Sequence, residues 1–202
     1  MAVTLEKPKP QDVSTVSIQF PKEVPLDNQA LLALSSANPS LRLERNPQGE
    51  LIIMSPTGGK SSRRNAVLVA KLFIWAEKNG QGVVFDSSGG FSLPNEAVRS
   101  PDACWVSNEQ LATLTDEELE AFPPLCPEFV IELRSSSDSL KDLQEKMQEY
   151  IANGTKLGWL LDAKNKDVYI YTPEGMALLE NPEKVEATGN LQGFVLDLLE
   201  VW

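Results

Sequence analysis

Apolar residues recur along this chain of 202 residues with the spacings of both helices and strands. Repeats of three and four positions predict helices, whereas alternation or a short continuous apolar run predicts strands. The predicted helices cover residues 26–38, 61–78 and 140–153, with short helical turns at 108–111 and after Thr115. The predicted strands cover residues 41–44, 50–54, 83–85, 91–93, 103–106, 129–133, 157–161 and 168–171. This order predicts an α/β (α+β) fold in which helices flank a mixed β-sheet.

Turn residues and apolar stripes refine this layout. Residues 46–49 (Asn-Pro-Gln-Gly) join two alternating segments and predict a β-hairpin. The apolar segment from Gly193 onward is predicted to pack back on the sheet. The long helix at 61–78 is predicted to bury an apolar stripe made of Ala66, Val67, Val69, Ala70, Phe73 and Ile74.

The length of the chain suits one domain, and its 42% of hydrophobic residues allows a sizeable core. We expect residues 25–202 to form that domain and residues 1–24 to be a mobile tail. The first eleven residues lack the apolar core of a secretory signal, and no apolar stretch has the length of a transmembrane helix. We therefore expect a cytoplasmic protein without a membrane partner.

The absence of histidine restricts the chemistry. Cys104 and Cys126 are the only cysteines and do not form a paired C-x-x-C motif, which excludes a Cys/His zinc site and histidine-assisted nucleophiles. Cys104 lies in an apolar run and is predicted to be a core residue. Any metal must therefore bind through oxygen ligands, which favours Mg²⁺ or Mn²⁺.

Two acidic residues border or interrupt apolar strands. Asp102 follows Pro101 at the start of the run 103–106, and Glu132 lies inside the run 129–133. Asp102 could simply cap the turn after Pro101. A buried Glu132 needs a cation or a proton, so a structural ion pair with Arg134 or a helix lysine is the alternative to a functional acid.

A lysine on the following helix completes the set. Lys146 borders an apolar helix face made of Leu140, Leu143, Met147, Tyr150 and Ile151. From that margin it can reach the sheet edge to which Glu132 points. The alternatives are a side chain that extends to solvent and a surface pair with Asp142 one turn earlier. Two carboxylates and a lysine can together hold a divalent metal and an activated water, as in metal-dependent phosphodiesterases.

The formal net charge of −11 argues against a broad basic surface for nucleic acid. If DNA is the substrate, its binding is expected to be weak or assisted by a partner. Arg63 and Arg64 on the long helix are candidates for phosphate contacts, and a solvated helix face is the alternative.

Several short motifs follow one another over about residues 25–175. They are Glu50–Pro56 (ELIIMSP), Ser100–Asp102 (SPD), Pro127–Ser135 (PEFVIELRS), Asp142–Lys146 (DLQEK), Glu149-Tyr150, Gly154 and Trp159–Asp162 (WLLD). In this order they resemble the Uma2 (DUF820) family, which is abundant in cyanobacteria and belongs to the PD-(D/E)XK nuclease superfamily.

The resemblance implies a restriction endonuclease-like core with an N-terminal helix and β-hairpin. It implies that Asp102 and Glu132 are the two metal-binding acids and that Lys146, moved to the following helix, is the superfamily lysine. Arg134 stands at the usual lysine position and is the alternative candidate for that role. Glu50 matches a hairpin glutamate that could serve as an accessory contact.

These observations favour a Mg²⁺-dependent endonuclease that hydrolyses DNA phosphodiester bonds, with Asp102 and Glu132 on the metal and Lys146 orienting the water. A homodimer is expected, since this is the commonest oligomer and many nucleases use two sites for two strands. The rival is a catalytically inactive nuclease-fold module that acts through protein association. The net charge, Arg134 at the usual lysine position, and Lys60, where many relatives carry an acid or histidine, favour this rival.

Overall fold

The computed structural model describes residues 15–54 and 56–202. Its strands are β1 (Thr15–Ile18), β2 (Arg42–Arg45), β3 (Leu51–Met54), β4 (Gly82–Asp86), β5 (Phe91–Ser92), β6 (Val98–Arg99), β7 (Ala103–Ser107), β8 (Phe129–Leu133), β9 (Leu157–Asp162), β10 (Asp167–Thr172), β11 (Gly175–Glu180), β12 (Lys184–Glu186) and β13 (Val195–Asp197). Its helices are α1 (Asn28–Ala37), α2 (Gly59–Asn79), α3 (Asn108–Leu111), α4 (Asp116–Leu119) and α5 (Leu140–Ala152), with 3₁₀ turns at Gly189–Leu191 and Leu198–Glu200.

The central element is a six-stranded sheet in the order β11-β10-β9-β8-β7-β4. Strands β8 and β9 are parallel, and the other neighbours are antiparallel. Helix α5 connects β8 to β9, because a parallel pair needs a crossover connection. Strands β7, β8 and β9 are buried along their whole length, as expected for central strands covered on both faces. The predicted mixed sheet flanked by helices is confirmed.

Alternation along β8 divides the core into two layers. Phe129 and Ile131 pack on one face with residues of α2 and of the C-terminal segment. Val130 packs on the other face with residues of α5, and Glu132 shares that face by the two-residue period of a strand. The sequence alternation therefore directs Glu132 toward α5. Cys104 and Cys126 are free and buried in this second layer, as predicted for Cys104.

A second sheet has five strands in the order β1-β3-β2-β6-β5 and contains the predicted hairpin. Strands β2 and β3 are antiparallel. The turn between them is held by Asn46, whose Oδ1 accepts from the backbone N–H groups of Gln48 and Glu50. Gly49 adopts φ +81°, a conformation that glycine reaches without steric cost. Helix α1 covers β2 through a small apolar cluster.

Helix α5 can lie close to the sheet because β9 contains Gly158. A Cβ at this position would collide with the Cε of Met147 on the helix. Met147 and Tyr150 of this helix are both fully buried. The close approach presents the adjacent residue Lys146 to the sheet.

The predicted apolar stripe of α2 is wrong in its placement. The residues that the helix buries are Leu68, Leu72 and Ala76, a row with a spacing of four. Phe73 and Ile74, which we expected in the core, are each 52% exposed. None of the three buried residues belongs to the predicted stripe; Val67 and Val69 of that stripe are partly buried beside the row.

The prediction for the C-terminal segment is confirmed, whereas part of the expected N-terminal tail forms a strand. The apolar C-terminal segment packs back on the sheet, with Phe194, Leu196, Leu198 and Val201 in the core. At the other end, residues 1–14 of the expected tail lie outside the described residues. Thr15–Ile18 of that tail pair with β3 as strand β1.

The exposed edge strand β11 was not predicted, because it lacks the alternation of a half-buried strand.

Candidate active site

Asp102 and Glu132 face each other across the β7–β8 pair. Ala103 lies opposite Ile131 in the antiparallel register, so Asp102, one residue earlier, falls opposite Glu132, one residue later. Directly opposed residues of antiparallel strands have Cβ atoms about 5 Å apart. Both side chains are buried, with residue exposures of 8% and 4%. Asp102, directly before β7, and Glu132, on β8, are thus brought together at one edge of this strand pair.

Lys146 reaches Glu132 from helix α5. Its Nζ lies 2.9 Å from Oε1 of Glu132 and 3.0 Å from Oε1 of Glu44. The side chain is 13% exposed, and its ammonium points into the acidic cluster instead of toward solvent or Asp142. Of the alternatives for Glu132, the ion pair with a helix lysine is therefore present.

Asp102 is oriented by neutral donors. Its Oδ1 accepts a hydrogen bond of 2.9 Å from the Nδ2 of Asn65 on α2. Its Oδ2 accepts one of 2.9 Å from the backbone N–H of Leu133, next to Glu132. The guanidinium of Arg42 is 3.7 Å from Oδ1. These contacts fix the carboxylate against β8, and Arg42 supplies the nearby positive charge.

Glu44 was missed by the sequence reasoning. It lies on β2 and is 2% exposed. Its Oε1 accepts from the Ser100 backbone N–H and from Lys146, and its Oε2 accepts from Arg99 at 3.0 Å. The pairing of Arg45 with Val98 places Glu44 directly opposite Arg99 on β6. The alternation of β2 was the available signal, because Leu43 faces the apolar cluster under α1 while Glu44 faces the other way.

A second row of contacts supports this cluster. Arg99 donates from Nε and Nη2 to Oε2 of Glu149, at 2.9 and 2.6 Å. The hydroxyl of Tyr150 donates to Oε1 of Glu132 at 3.0 Å. Lys146, Glu149 and Tyr150 have the helical spacing i, i+3, i+4, so one face of α5 supplies all three. The motif at Glu149-Tyr150 therefore belongs to the site.

Other candidates lie elsewhere. Glu50 hydrogen-bonds Ser17, Gln19 and Asn46, and the structure does not bring it to the cluster. Arg134 pairs with the fully buried Asp162 at 2.7 Å instead of Glu132. This pairing corrects the alternative in which Arg134 neutralises Glu132.

The arginines of α2 also have partners within the chain. Arg64 donates from Nε to the carbonyl oxygen of Val201 at 2.6 Å. Arg63 is exposed and donates over 3.4 Å to the carbonyl oxygen of Glu200. Both contacts hold the C-terminal segment against α2.

The two glutamates bound to Lys146 have opposite acidities. Burial raises the pKa of Glu132 to about 7, an increase that Lys146 opposes and the charges of Asp102 and Glu44 reinforce. Burial also acts to raise the pKa of Glu44, but Lys146 and Arg99 outweigh it and lower the value to about 2. Near pH 7 Glu44 is therefore ionised, whereas Glu132 is present in both its protonated and its ionised form.

We expect these two groups to shape the stability of the metal-free protein. The raised pKa of Glu132 stabilises the folded state at low pH, and this contribution is lost between about pH 4.5 and 7. The lowered pKa of Glu44 stabilises it above about pH 4.5, and this contribution is lost as the pH falls toward 2. Urea unfolding in EDTA should show a higher midpoint at pH 5 than at pH 8. If the midpoint of Glu132→Gln equals that of wild type at pH 5 and also at pH 8, the assignment of this pH dependence to Glu132 is contradicted.

The donor set fits a small hard cation. Asp102 and Glu132 offer carboxylate oxygens from adjacent strands, and Mg²⁺ is commonly bound by one or two carboxylates with water and substrate phosphate. Within residues 15–54 and 56–202, no cluster of three or more Asp, Glu, Cys or His side chains with metal-binding geometry is present. A cation held by these two carboxylates alone would complete its coordination with water and substrate phosphate.

A cleft of about 1200 Å³ opens at this cluster. Residues 56–61, which lead into helix α2, and the loop 135–139 contribute to its lining. The basic residues of the lining are Arg42, Lys60, Arg99 and Lys146, and the acidic ones are Glu44, Asp102, Glu132, Asp138, Asp142, Glu145 and Glu149. Because acids predominate, a polyanion entering the cleft would need added positive charge.

Comparison with known families gives a match over most of the chain. A model of the Uma2 family, described as "Putative restriction endonuclease", matches residues 28–199. No characterised protein with a curated description matches. In the part of the chain that the structure describes, no helix combines the length and the apolar character that a membrane span requires.

A solved structure shares the fold. It is the crystal structure of "a putative nuclease belonging to DUF820" from Anabaena variabilis. The two chains are 18% identical and superpose with a TM-score of 0.66, over 79% of this chain and 88% of the other. This chain therefore shares the mixed α/β fold of that protein, with sheets flanked by helices.

Proposed function

The chain belongs to the Uma2 family of restriction endonuclease-like proteins, and from this premise we propose that it is a Mg²⁺- or Mn²⁺-dependent endonuclease that hydrolyses DNA phosphodiester bonds. One observation carries the proposal. Asp102, directly before the buried strand β7, falls opposite Glu132 on the buried strand β8, and the ammonium of Lys146 is 2.9 Å from Glu132. Family membership supports the nuclease class, and this geometry supports the metal and the roles of the residues.

Asp102 and Glu132 would hold the cation. Asn65 and the Leu133 N–H donate to Asp102, and Tyr150 donates to Glu132, so both carboxylates are oriented before a ligand arrives. A bound Mg²⁺ would activate water and neutralise charge on the phosphate. The raised pKa of Glu132 implies that its proton leaves when the cation binds, so affinity for the cation should increase from pH 6 to pH 8.

Lys146 would act on the water and the phosphate. When Glu132 serves the cation, the Lys146 ammonium remains within the cleft as a donor and a positive charge. There it orients the nucleophilic water and stabilises the pentavalent transition state. Arg134 does not share this role in the proposal, because its guanidinium is committed to Asp162.

The acidic cleft makes DNA binding dependent on the cation. Without it, the carboxylates of the lining repel phosphates, and Arg42 and Lys60 are among the few basic groups that can contact the backbone. We propose that DNA binds weakly unless the cation or a partner supplies positive charge. A homodimer would supply a second site for the second strand.

The test combines binding and cleavage on the same samples. Mg²⁺ or Mn²⁺ binding is measured by calorimetry on wild type and Asp102→Asn, and plasmid nicking is followed in parallel. Asp102→Asn should weaken metal binding by about tenfold or more and lose nicking in proportion. Asp116→Asn, on the remote helix α4, is the matched control and should behave as wild type.

The rival function is a nuclease-fold module without catalysis that works through protein association. The net charge of −11 and the arginine two residues after Glu132 favour it. It predicts no metal binding and no nicking by wild type at millimolar Mg²⁺ or Mn²⁺. That result would overturn the endonuclease proposal and leave Glu132 and Lys146 as a buried structural pair.

A further inference from the structure

We propose that Glu44 is a positioning residue, which retains Lys146 when a cation occupies Glu132. The inference rests on the proposed function and deepens it. Its basis is that one ammonium bridges two carboxylates, at 3.0 Å from Glu44 and 2.9 Å from Glu132. The geometry lets Lys146 release one of them without losing both.

The two carboxylates are held differently. Glu44 receives the guanidinium of Arg99 on Oε2 and the Ser100 N–H on Oε1, in addition to Lys146. Glu132 receives the neutral hydroxyl of Tyr150 in addition to Lys146. Arg99 is itself fixed by Glu149. Glu44 is thus the rigid partner of Lys146, and Glu132 is the one that can change its partner.

The neighbouring charges explain why such a change is needed. Asp102 lies opposite Glu132 on the next strand, and two close carboxylates repel each other. Lys146 relieves this repulsion in the metal-free protein. A cation shared by Asp102 and Glu132 relieves it too and repels the ammonium, so Lys146 then depends on Glu44 to stay at the site.

Loss of Glu44 should therefore have two consequences. Glu132 would then be the remaining carboxylate partner of Lys146 in the cluster. The ammonium of Lys146 would therefore compete with the cation for Glu132. Once displaced by the cation, Lys146 would no longer be held beside the water. Both consequences require Lys146, which distinguishes a positioning role from a purely structural one.

A double-mutant cycle tests this dependence. The variants are Glu44→Gln, Lys146→Met and their combination, measured for cation affinity by calorimetry and for kcat and KM in nicking at saturating metal. Glu44→Gln should lower kcat by about 10- to 100-fold, with KM for DNA nearly unchanged. In the Lys146→Met background it should lower kcat little further, and it should weaken cation binding less than it does when Lys146 is present.

Equal losses in both backgrounds would overturn the proposal. Glu44→Asp keeps the charge and should recover part of kcat, and it replaces Glu44→Gln in the cycle if the glutamine variant does not fold. Glu186→Gln is the matched control, because Glu186 also pairs with a lysine but is exposed on the remote strand β12. If wild type binds the cation but does not nick DNA, the proposed function fails, and the affinity cycle still decides the role of Glu44.

Discussion

Replacing Glu132 by glutamine is expected to abolish cleavage while leaving the fold at least as stable. Substitutions behind metal ligands commonly cost about 10- to 100-fold, so loss of a ligand should reduce nicking by at least about 100-fold. The same substitution is not expected to lower the free energy of unfolding. Because the pKa of Glu132 is raised to about 7, its ionised form is unfavourable in the folded protein at pH 8, and glutamine avoids that cost.

The measurement pairs plasmid nicking with urea unfolding in EDTA at pH 8. In the variant Lys146 retains its ion pair with Glu44, so its buried ammonium still has a carboxylate partner. Retained nicking by Glu132→Gln would contradict its role as a ligand. A large loss of stability with intact metal binding would instead assign Glu132 a purely structural role in the fold.

Replacing Arg99 by methionine is expected to cause the largest loss of stability among the site variants. Its guanidinium bridges Glu44 and Glu149, whose side chains are 2% and 11% exposed. The neighbouring acids raise the pKa of Arg99 despite its burial, which normally lowers it. Removing one partner of a buried charge network typically costs about 3–5 kcal/mol, because the remaining charges stay buried.

Urea unfolding at pH 7 measures this effect. Arg63→Met is the matched control, since Arg63 is exposed on α2 and makes one long hydrogen bond. It should change the free energy of unfolding by less than about 1 kcal/mol. Similar small effects of both substitutions would mean that Glu44 and Glu149 reach other partners or protons without cost.

Much of the fold followed from local pattern. The hairpin, the central strands and helix α5 were predicted within a few residues, because alternation and three-to-four spacing report burial directly. The orientation of α2 did not follow. Apolar residues surround much of that helix, so its sequence was compatible with more than one buried face, and contact with the sheet selected Leu68, Leu72 and Ala76.

The candidate site divides in the same way. Asp102, Glu132 and Lys146 could be named from sequence, because an acid at a buried strand and a lysine at the margin of an apolar helix face are unusual positions that demand partners. Glu44 could not be chosen over Glu50 from the hairpin alone. Both are hairpin glutamates, and only the pairing of β2 with β6 places Glu44 opposite Arg99.

The sequence by itself determined the family, the order of the main helices and central strands, and the segments that supply the acids and the lysine. The tertiary structure decided which charges meet. It gave Lys146 two carboxylates, assigned Arg134 to Asp162, and brought Arg99 and Glu149 behind Glu44. The physical reason is that burial of a residue can be inferred from its near neighbours in sequence. The partner of a buried charge lies on another element, often more than 50 residues away, and only the packing of those elements identifies it.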